Sequence, residues 1–239
     1  MTMAIGVPRR PWIIRMRWLE LLLAHWPVPT DSVRALIPRD LEIDTYDGQA
    51  WLGIVPFRMA DVAPRGLPAP PIAGAFNEVN VRTYVRRRDR PGVWFFSLDA
   101  GSRIAVEGAR RFFHVPYLWA AMSMTRDRDV IEYRSVRRDR RAPPASLDMR
   151  YRPIGPVQPV EPGSLDAWLT DRWRAYSIDG AGRILRTEIR HRPWPLQPAE
   201  AEIRVESLAA ALGIDLPAVP PRLAYASRVD VRGWLPRPA

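Results

Sequence analysis

Short runs of alternating apolar and polar residues dominate this chain, and they predict a protein built mainly from β-strands. Proline, glycine or aspartate bounds most runs, and these residues commonly end strands in turns. Many short strands of this kind are typical of a barrel or a sandwich. The predicted strands lie at residues 51–57, 77–87, 93–98, 130–137, 147–151, 184–190, 201–205 and 224–231.

Three helices are predicted between these strands. Serine, threonine and aspartate favour helix N-termini because their side-chain oxygen atoms accept hydrogen bonds from free backbone N–H groups. A further turn at 209–212 is stopped by a glycine. The helices are expected from Thr30 or Asp31 to the residue before Pro38, from Ser102 to Phe113, and from Ser164 to about Tyr176.

The predicted strand at 77–87 has two chemically different faces, because alternate side chains of a strand point in opposite directions. Val79, Val81, Thr83 and Val85 share one face, which is ordinary core. If the other face were exposed to water, its polar residues would need no explanation. If it points into a barrel, it surrounds one small ligand with a carboxylate, an amide and a guanidinium. That second face carries Glu78, Asn80, Arg82 and Tyr84.

The chain contains no lysine, and all 36 of its lysine-or-arginine positions are arginine. A very GC-rich genome would produce the same bias, so the absence is either functional or compositional. In both cases no lysine side chain can form a Schiff base. Arginine stays protonated, so it can hold an anion but makes a poor base or nucleophile.

Other residue types narrow the chemistry further. Without cysteine, the chain forms no disulfide, thiolate nucleophile or cysteine-based zinc site. His25, His114 and His191 lack the spacing of paired metal ligands, so no metal is expected. No phosphate-binding glycine loop and no Gly-x-Ser-x-Gly motif occur, so neither a cofactor nor a serine hydrolase is expected. A chain of 239 residues with 47% hydrophobic content can form a single domain over 1–239.

A formal net charge of +10 raises the possibility of nucleic-acid binding. Arginine runs occur at 86–90 and 137–141, but aspartate interrupts both and both lie between predicted strands. We therefore expect solvated hairpin loops, with nucleic-acid association through these loops as the weaker alternative. The longest apolar stretch, 19–26, is too short to cross a bilayer and contains Glu20 and His25. With no signal-peptide pattern, the expected location is the cytoplasm.

Three sequence segments are similar to the YqjF-type family, which is related to the acetoacetate decarboxylases. They are Asp-Gly-Gln-Ala-Trp at 47–51, Phe-Asn-Glu-Val-Asn-Val-Arg-Thr-Tyr-Val at 76–85, and Ala-Arg-Arg-Phe-Phe-His-Val-Pro-Tyr at 109–117. The resemblance extends from about residue 12 to 235. It implies a mainly β (α+β) fold, namely a closed, mostly antiparallel β-barrel with a few flanking helices.

The resemblance also implies a site. Acetoacetate decarboxylases carry a cavity-facing glutamate that Glu78 resembles. Arg110 and Pro116 resemble the arginine and proline that precede their Schiff-base lysine, which places Tyr117 where that lysine would stand. His25, in the segment His-Trp-Pro-Val-Pro, also belongs to a family segment. The resemblance therefore implies the scaffold and removes the reaction best known on it.

Two hypotheses follow for function. In the first, the protein is a cofactor-independent enzyme for a small carbonyl or carboxylic acid compound, in which Glu78 moves a proton. Tyr117 would donate a hydrogen bond or proton, helped if Arg82 or Arg110 lowered its pKa. The alternative role for Tyr117 is simple packing. The predicted substrate-binding residues are Asn80, Arg82, Tyr84, Arg110 and His25.

In the second hypothesis the same cavity binds a small organic acid without turnover, as a scaffold that has lost its ancestral reaction would do. A homodimer is a further expectation, because Trp168, Leu169 and Trp173 form an apolar helix face. That face can equally pack on the barrel of its own chain.

Overall fold

The computed structural model describes residues 10–71 and 74–239, which contain thirteen strands, three α-helices and a short 3-10 helix at Ala210–Leu212. The strands are β1 (Ile14–Val28), β2 (Glu42–Ile43), β3 (Ala50–Pro64), β4 (Phe76–Arg87), β5 (Arg90–Ala100), β6 (Tyr117–Asp127), β7 (Val130–Arg137), β8 (Ser146–Pro153), β9 (Arg174–Ile178), β10 (Ile184–His191), β11 (Leu196–Glu206), β12 (Arg222–Gly233) and β13 (Arg237–Pro238). The helices are α1 (Thr30–Arg34), α2 (Arg103–Phe113) and α3 (Leu165–Thr170).

All eight predicted strands fall within observed strands. Strand β1 was not predicted, because residues 21–26 are buried on both faces and therefore show no alternation. The helix predicted from Ser164 to Tyr176 is too long. Helix α3 ends at Thr170, and the following segment forms β9, which pairs with β5 and β10. These tertiary pairings outweigh the local helical pattern.

Nine strands form a closed mixed barrel in the order β5, β6, β7, β8, β11, β12, β1, β3, β4, with β4 pairing back to β5. Strand β9 pairs with β5, and β10 pairs with both β9 and β12. These pairings close a second ring of seven strands, which shares β12, β1, β3, β4 and β5 with the first. The five shared strands therefore have a ring interior on each face.

The prediction of a closed, mostly antiparallel barrel with flanking helices is confirmed, with two parallel pairs in addition. Strand β5 runs parallel to β6 and to β9. Parallel neighbours require a crossover connection, which α2 supplies between β5 and β6. Ser102 and Ser164 cap α2 and α3 as expected, whereas Pro29 occupies the N-cap of α1 without a side-chain hydrogen bond.

The two rings are filled differently. Packed apolar and tyrosine side chains, among them Val79, Val81, Tyr133, Tyr151 and Tyr225, fill the nine-stranded ring. The opposite face of β4 points into the seven-stranded ring, which retains a cavity. Strand β4 is therefore buried on both faces, and its polar row is not an outer surface.

The two arginine runs differ from one another. Arg88 and Asp89 form the exposed β4–β5 hairpin turn, both with positive φ, as expected for a solvated loop. In the second run the prediction is wrong for Arg137, which is buried and bound to Asp99. Arg141 is also engaged with carboxylates of its own chain.

The apolar face that suggested a dimer packs within the chain. The Trp168 ring lies 4.6 Å from the Tyr84 ring, and the Trp173 ring stacks on His191 at 4.3 Å. Leu169 is buried. Among the described residues, no helix is long and apolar enough to cross a membrane.

Candidate functional site

A cavity of about 380 Å³ lies inside the seven-stranded ring. Apolar side chains of β1, β3, β5 and α2 form most of its wall, and the exposed residues Ile104 and Phe112 of α2 belong to it. A volume of this size is within the range of small-molecule sites. The principal polar residues of the wall are Glu78, Asn80, Arg82, Tyr117, Arg172 and Arg174.

The centre of the polar wall is a carboxyl–phenol pair. The Tyr117 hydroxyl donates a hydrogen bond of 2.7 Å to Oε2 of Glu78. The strands bring the two together because Glu78 is paired with Ala100 of β5, while Tyr117 is paired with Leu98 on the other edge of β5. The sequence prediction that these two residues share one site therefore agrees with their placement.

Burial dominates the electrostatics of this pair. Burial raises the pKa of Glu78 to about 8, although hydrogen bonds from Tyr117 and Asn80 favour the ionised form and oppose the shift. The Asp99 charge adds a small increase. Glu78 is therefore mostly protonated at neutral pH.

The condition that Arg82 or Arg110 lowers the pKa of Tyr117 is not met. Burial raises the pKa of this phenol well above its usual range, and the nearby Glu78 carboxyl raises it further. Arg110 does not contact the hydroxyl. Its Nη1 atom donates a 2.9 Å hydrogen bond to the backbone oxygen of Tyr117, so Arg110 fixes the main chain. Tyr117 is thus a hydrogen-bond donor rather than a base.

Arg82 is a buried cation that has no counter-ion in the part of the chain that the structure describes. It is 7% exposed and, within residues 10–71 and 74–239, it has neither a hydrogen-bond acceptor nor a carboxylate partner. Its guanidinium carbon lies 5.7 Å from the centroid of the Tyr84 ring. Removing an unpaired charge from water is costly, and a bound anion would offset that cost.

Tyr84 and His25, predicted as binding residues, lie behind Arg82 and outside the cavity wall. A 2.7 Å hydrogen bond joins the Tyr84 hydroxyl to Nε2 of His25, and both side chains are fully buried. Burial, aided by the Arg82 charge, lowers the pKa of His25 well below its usual value. The pair therefore supports Arg82 as a neutral, packed layer.

Gly53 permits this layer to form. A Cβ atom at this position would lie 2.5 Å from Nε2 of His25 and 3.3 Å from Cγ of Arg82. Gly53→Ala is therefore expected to lower the free energy of unfolding by roughly 1 to 3 kcal/mol, measured by urea denaturation. Gly108→Ala is the control, since a Cβ there meets nothing within 4 Å in a helix and should stabilise the protein slightly. Equal stability of the Gly53→Ala and wild-type proteins would contradict the described packing.

Sequence reasoning missed Arg172 and Arg174, because the helix predicted to Tyr176 concealed the strand that begins at 174. Arg172 is 5% exposed and firmly held. Its Nε atom donates to the backbone oxygen of Trp168 and its Nη1 atom to Asp44, while Nη2 has no acceptor among the described residues. No local signal marks the end of α3 at Thr170, because the following segment is held by the pairing of β9 with β5 and β10.

The described part of the chain contains no grouping of three or more histidine, aspartate or glutamate side chains suited to a metal ion. Several buried polar atoms on the cavity wall instead lack a hydrogen-bond partner within that part of the chain. They belong to Trp18, Asn80, Arg82, Arg172, Arg174 and Thr187. Such atoms are rare in folded proteins, and their concentration around one cavity favours a polar ligand.

Comparisons with known proteins agree with this fold. Residues 15–230 match the family DUF2071, described as "Uncharacterized conserved protein". The chain is 46% identical over 230 residues to "Uncharacterized protein YqjF" of Bacillus subtilis (strain 168). The aligned region covers 96% of this chain and 94% of YqjF.

Two solved structures are similar at low sequence identity. The enduracididine biosynthesis enzyme MppR, with HEPES buffer bound, has a TM-score of 0.67 and 11% identity, covering 96% of this chain and 88% of MppR. Acetoacetate decarboxylase from Legionella pneumophila has a TM-score of 0.62 and 14% identity, covering 97% and 92%. At this identity the similarity shows an acetoacetate decarboxylase-like fold.

Proposed function

The chain belongs to the DUF2071 family and has the acetoacetate decarboxylase-like fold, and from this we propose that its cavity binds a small carbonyl or carboxylic acid compound. Glu78 and Tyr117 perform proton transfer on this compound. One observation carries this proposal. A buried cation, Arg82, which has no carboxylate partner among the described residues, shares one cavity with the mostly protonated carboxyl of Glu78.

The proposed chemistry is general acid–base catalysis. A catalytic group is most effective when its pKa lies near the working pH, as the pKa of Glu78 does at about 8. The ionised fraction of Glu78 removes a proton from the carbon next to the carbonyl. The electron pair of that C–H bond moves toward the carbonyl oxygen, which receives a hydrogen bond from Tyr117 or another wall donor. The protonated Glu78 then returns its proton to another atom.

This sequence of steps suits isomerisation, dehydration or carbon–carbon bond cleavage, all of which can pass through an enolate. A lysine Schiff base is not part of the proposal, since the chain has no lysine. The similar proteins MppR and acetoacetate decarboxylase are described as an enzyme of enduracididine biosynthesis and a decarboxylase, which favours an enzyme.

A binding protein without turnover is the second candidate. It is favoured by one contact: Tyr117 and Glu78 already satisfy each other through their 2.7 Å hydrogen bond. Nucleic-acid association is a weaker candidate, because Arg137 and Arg141 are held by carboxylates of their own chain.

Exchange of carbon-bound hydrogen for deuterium distinguishes enzyme from binder. We expect the protein to catalyse exchange next to the carbonyl of simple keto acids in D₂O, followed by proton NMR. Glu78→Gln is expected to slow the exchange by about 100-fold or more, since general bases contribute at least that much. Arg58→Met, at an exposed arginine of β3, is the control and should exchange at the wild-type rate. Saturating binding with no exchange would support the binding protein and contradict the enzyme.

A further inference from the structure

Two pairs of polar side chains stand apart on the cavity wall. Glu78 and Tyr117 form one pair, and the guanidinium groups of Arg82 and Arg172 form the other. Both guanidinium carbons lie near the same Tyr84 ring, at 5.7 Å and 4.8 Å from its centroid.

The separation of the two pairs follows from strand geometry. Residues 78 and 82 are four positions apart on β4, which corresponds to about 13 Å between their Cα atoms. Asn80 stands between them, and its Oδ1 atom has no hydrogen-bond partner among the described residues. Apolar residues line the rest of this length, including Val55, Phe57 and Phe95.

Arg82 and Arg172 are well suited to bind one anion together. Asp44 and the Trp168 backbone hold Arg172 in place and leave its Nη2 atom without an acceptor, while Arg82 has no counter-ion among the residues described. Two guanidinium groups can share a carboxylate because each supplies several N–H donors. Pyruvate has six non-hydrogen atoms. Even if each took the roughly 30 Å³ that one water molecule occupies in the liquid, pyruvate would fill less than half of the cavity of about 380 Å³.

We propose that the ligand is an elongated keto acid, whose carboxylate binds Arg82 and Arg172 while its carbonyl lies at Glu78 and Tyr117, with an apolar chain between them. This inference rests on the proposed function and adds the substrate class. The Cα atoms of Glu78 and Arg82 are about 13 Å apart. Hydrogen bonds of about 3 Å at one or both ends leave roughly 7 to 10 Å between the ligand's carbonyl and its carboxylate. Three bonds of an extended chain span about 3.5 Å, so about five to seven methylene groups separate the carbonyl from the carboxylate.

The test is a chain-length series of methyl ketone acids, from pyruvate and levulinate to acids with five, six and seven methylene groups. Affinities are measured by isothermal titration calorimetry, with the straight-chain fatty acids of equal length as comparators. Affinity is expected to peak in the five-to-seven range and to exceed that of pyruvate at least tenfold, since each buried methylene contributes up to about fourfold. The ketone should bind more tightly than the fatty acid only near the peak.

Two variants assign the ends. Arg82→Met should fold normally, because it breaks no hydrogen bond of Arg82 within the described chain, and it should weaken the best acid at least tenfold. Arg172→Met should also weaken the best acid at least tenfold. This change removes the contacts of Arg172 with Asp44 and Trp168 as well. If the Arg172 variant is unstable, the result for the Arg82 variant is the decisive one. Arg58→Met is the control and should retain wild-type affinity.

The outcomes separate this inference from the proposed function. Tightest binding by pyruvate or levulinate would overturn the elongated ligand and leave the proposed function standing. Affinity that rises steadily with chain length and is unchanged in the Arg82→Met protein would show apolar binding alone and would overturn the inference. If no acid of any length binds, both the inference and the proposed function fail.

Discussion

As the pH rises from 5 to 9, the free energy of unfolding of the wild-type protein is expected to fall by on the order of 4 kcal/mol more than that of the Glu78→Gln protein. The loss arises because the pKa of a glutamate carboxyl is 4.5 when it is solvated, as in the unfolded chain, and about 8 for Glu78 in the folded protein. Each pKa unit of difference corresponds to about 1.36 kcal/mol. The measurement is urea denaturation at a series of pH values.

The sign follows from proton uptake. Below pH 4.5 both the folded and the unfolded chain hold the Glu78 proton, and its stability contribution is fully present. Between the two pKa values the unfolded chain releases the proton and the folded chain keeps it, so stability falls as pH rises. Above about pH 8 the loss levels off. Glu161→Gln, at an exposed glutamate, is the control and should follow the wild-type curve. Parallel curves for wild type and Glu78→Gln would contradict a buried, protonated carboxyl.

Replacing Arg137 with methionine is expected to lower the free energy of unfolding by roughly 3 to 5 kcal/mol. Arg137 donates to both carboxylate oxygens of Asp99 at 2.9 Å, and also to Ser97 and to the backbone oxygen of Pro143. The side chains of Arg137 and Asp99 are 2% and 0% exposed. Without the arginine, the Asp99 carboxylate would be left buried and unpaired. Urea denaturation at pH 7 measures the loss.

Two controls test this reason. Arg134→Met removes an exposed arginine of the same strand, β7, whose ion pair with Asp148 is solvated, so it should cost no more than about 1 kcal/mol. Asp99→Asn added to Arg137→Met removes the stranded charge and should restore part of the stability. If Arg137→Met and Arg134→Met lower the free energy of unfolding by the same amount, the buried ion pair does not stabilise the barrel as described.

Most of the fold was predictable because strand alternation and turn residues are local signals. They identified the strands that have one polar face or sharp boundaries, such as β7 and β8. They failed for β1, whose central residues are buried on both faces, and for β9, whose strand pairing is a tertiary effect. Strand β6 was also absent from the predicted strands. The second ring depends on β9 and β10, so its existence was not predictable from local pattern.

The placement of Glu78, Asn80, Arg82 and Tyr117 on one wall agrees with the sequence analysis, because β4 alternation and the family resemblance both indicated it. His25 and Tyr84 were assigned to ligand contact, but their side chains form the layer behind Arg82. Residue type alone does not reveal which of two buried layers faces a cavity. Arg172 reaches the wall only because α3 stops early, and that ending depends on contacts distant in sequence.

The measurement that tests the central claim most directly is the titration of the Glu78 carboxyl. Carbon-13 NMR of protein labelled at the glutamate side-chain carboxyl would follow each signal with pH, and Glu78→Gln would identify the signal that belongs to residue 78. A midpoint near pH 8 is predicted, from burial of the carboxyl against Tyr117. A midpoint near 4.5 would mean that Glu78 is solvated and ionised, and the proposed acid–base pair would be contradicted.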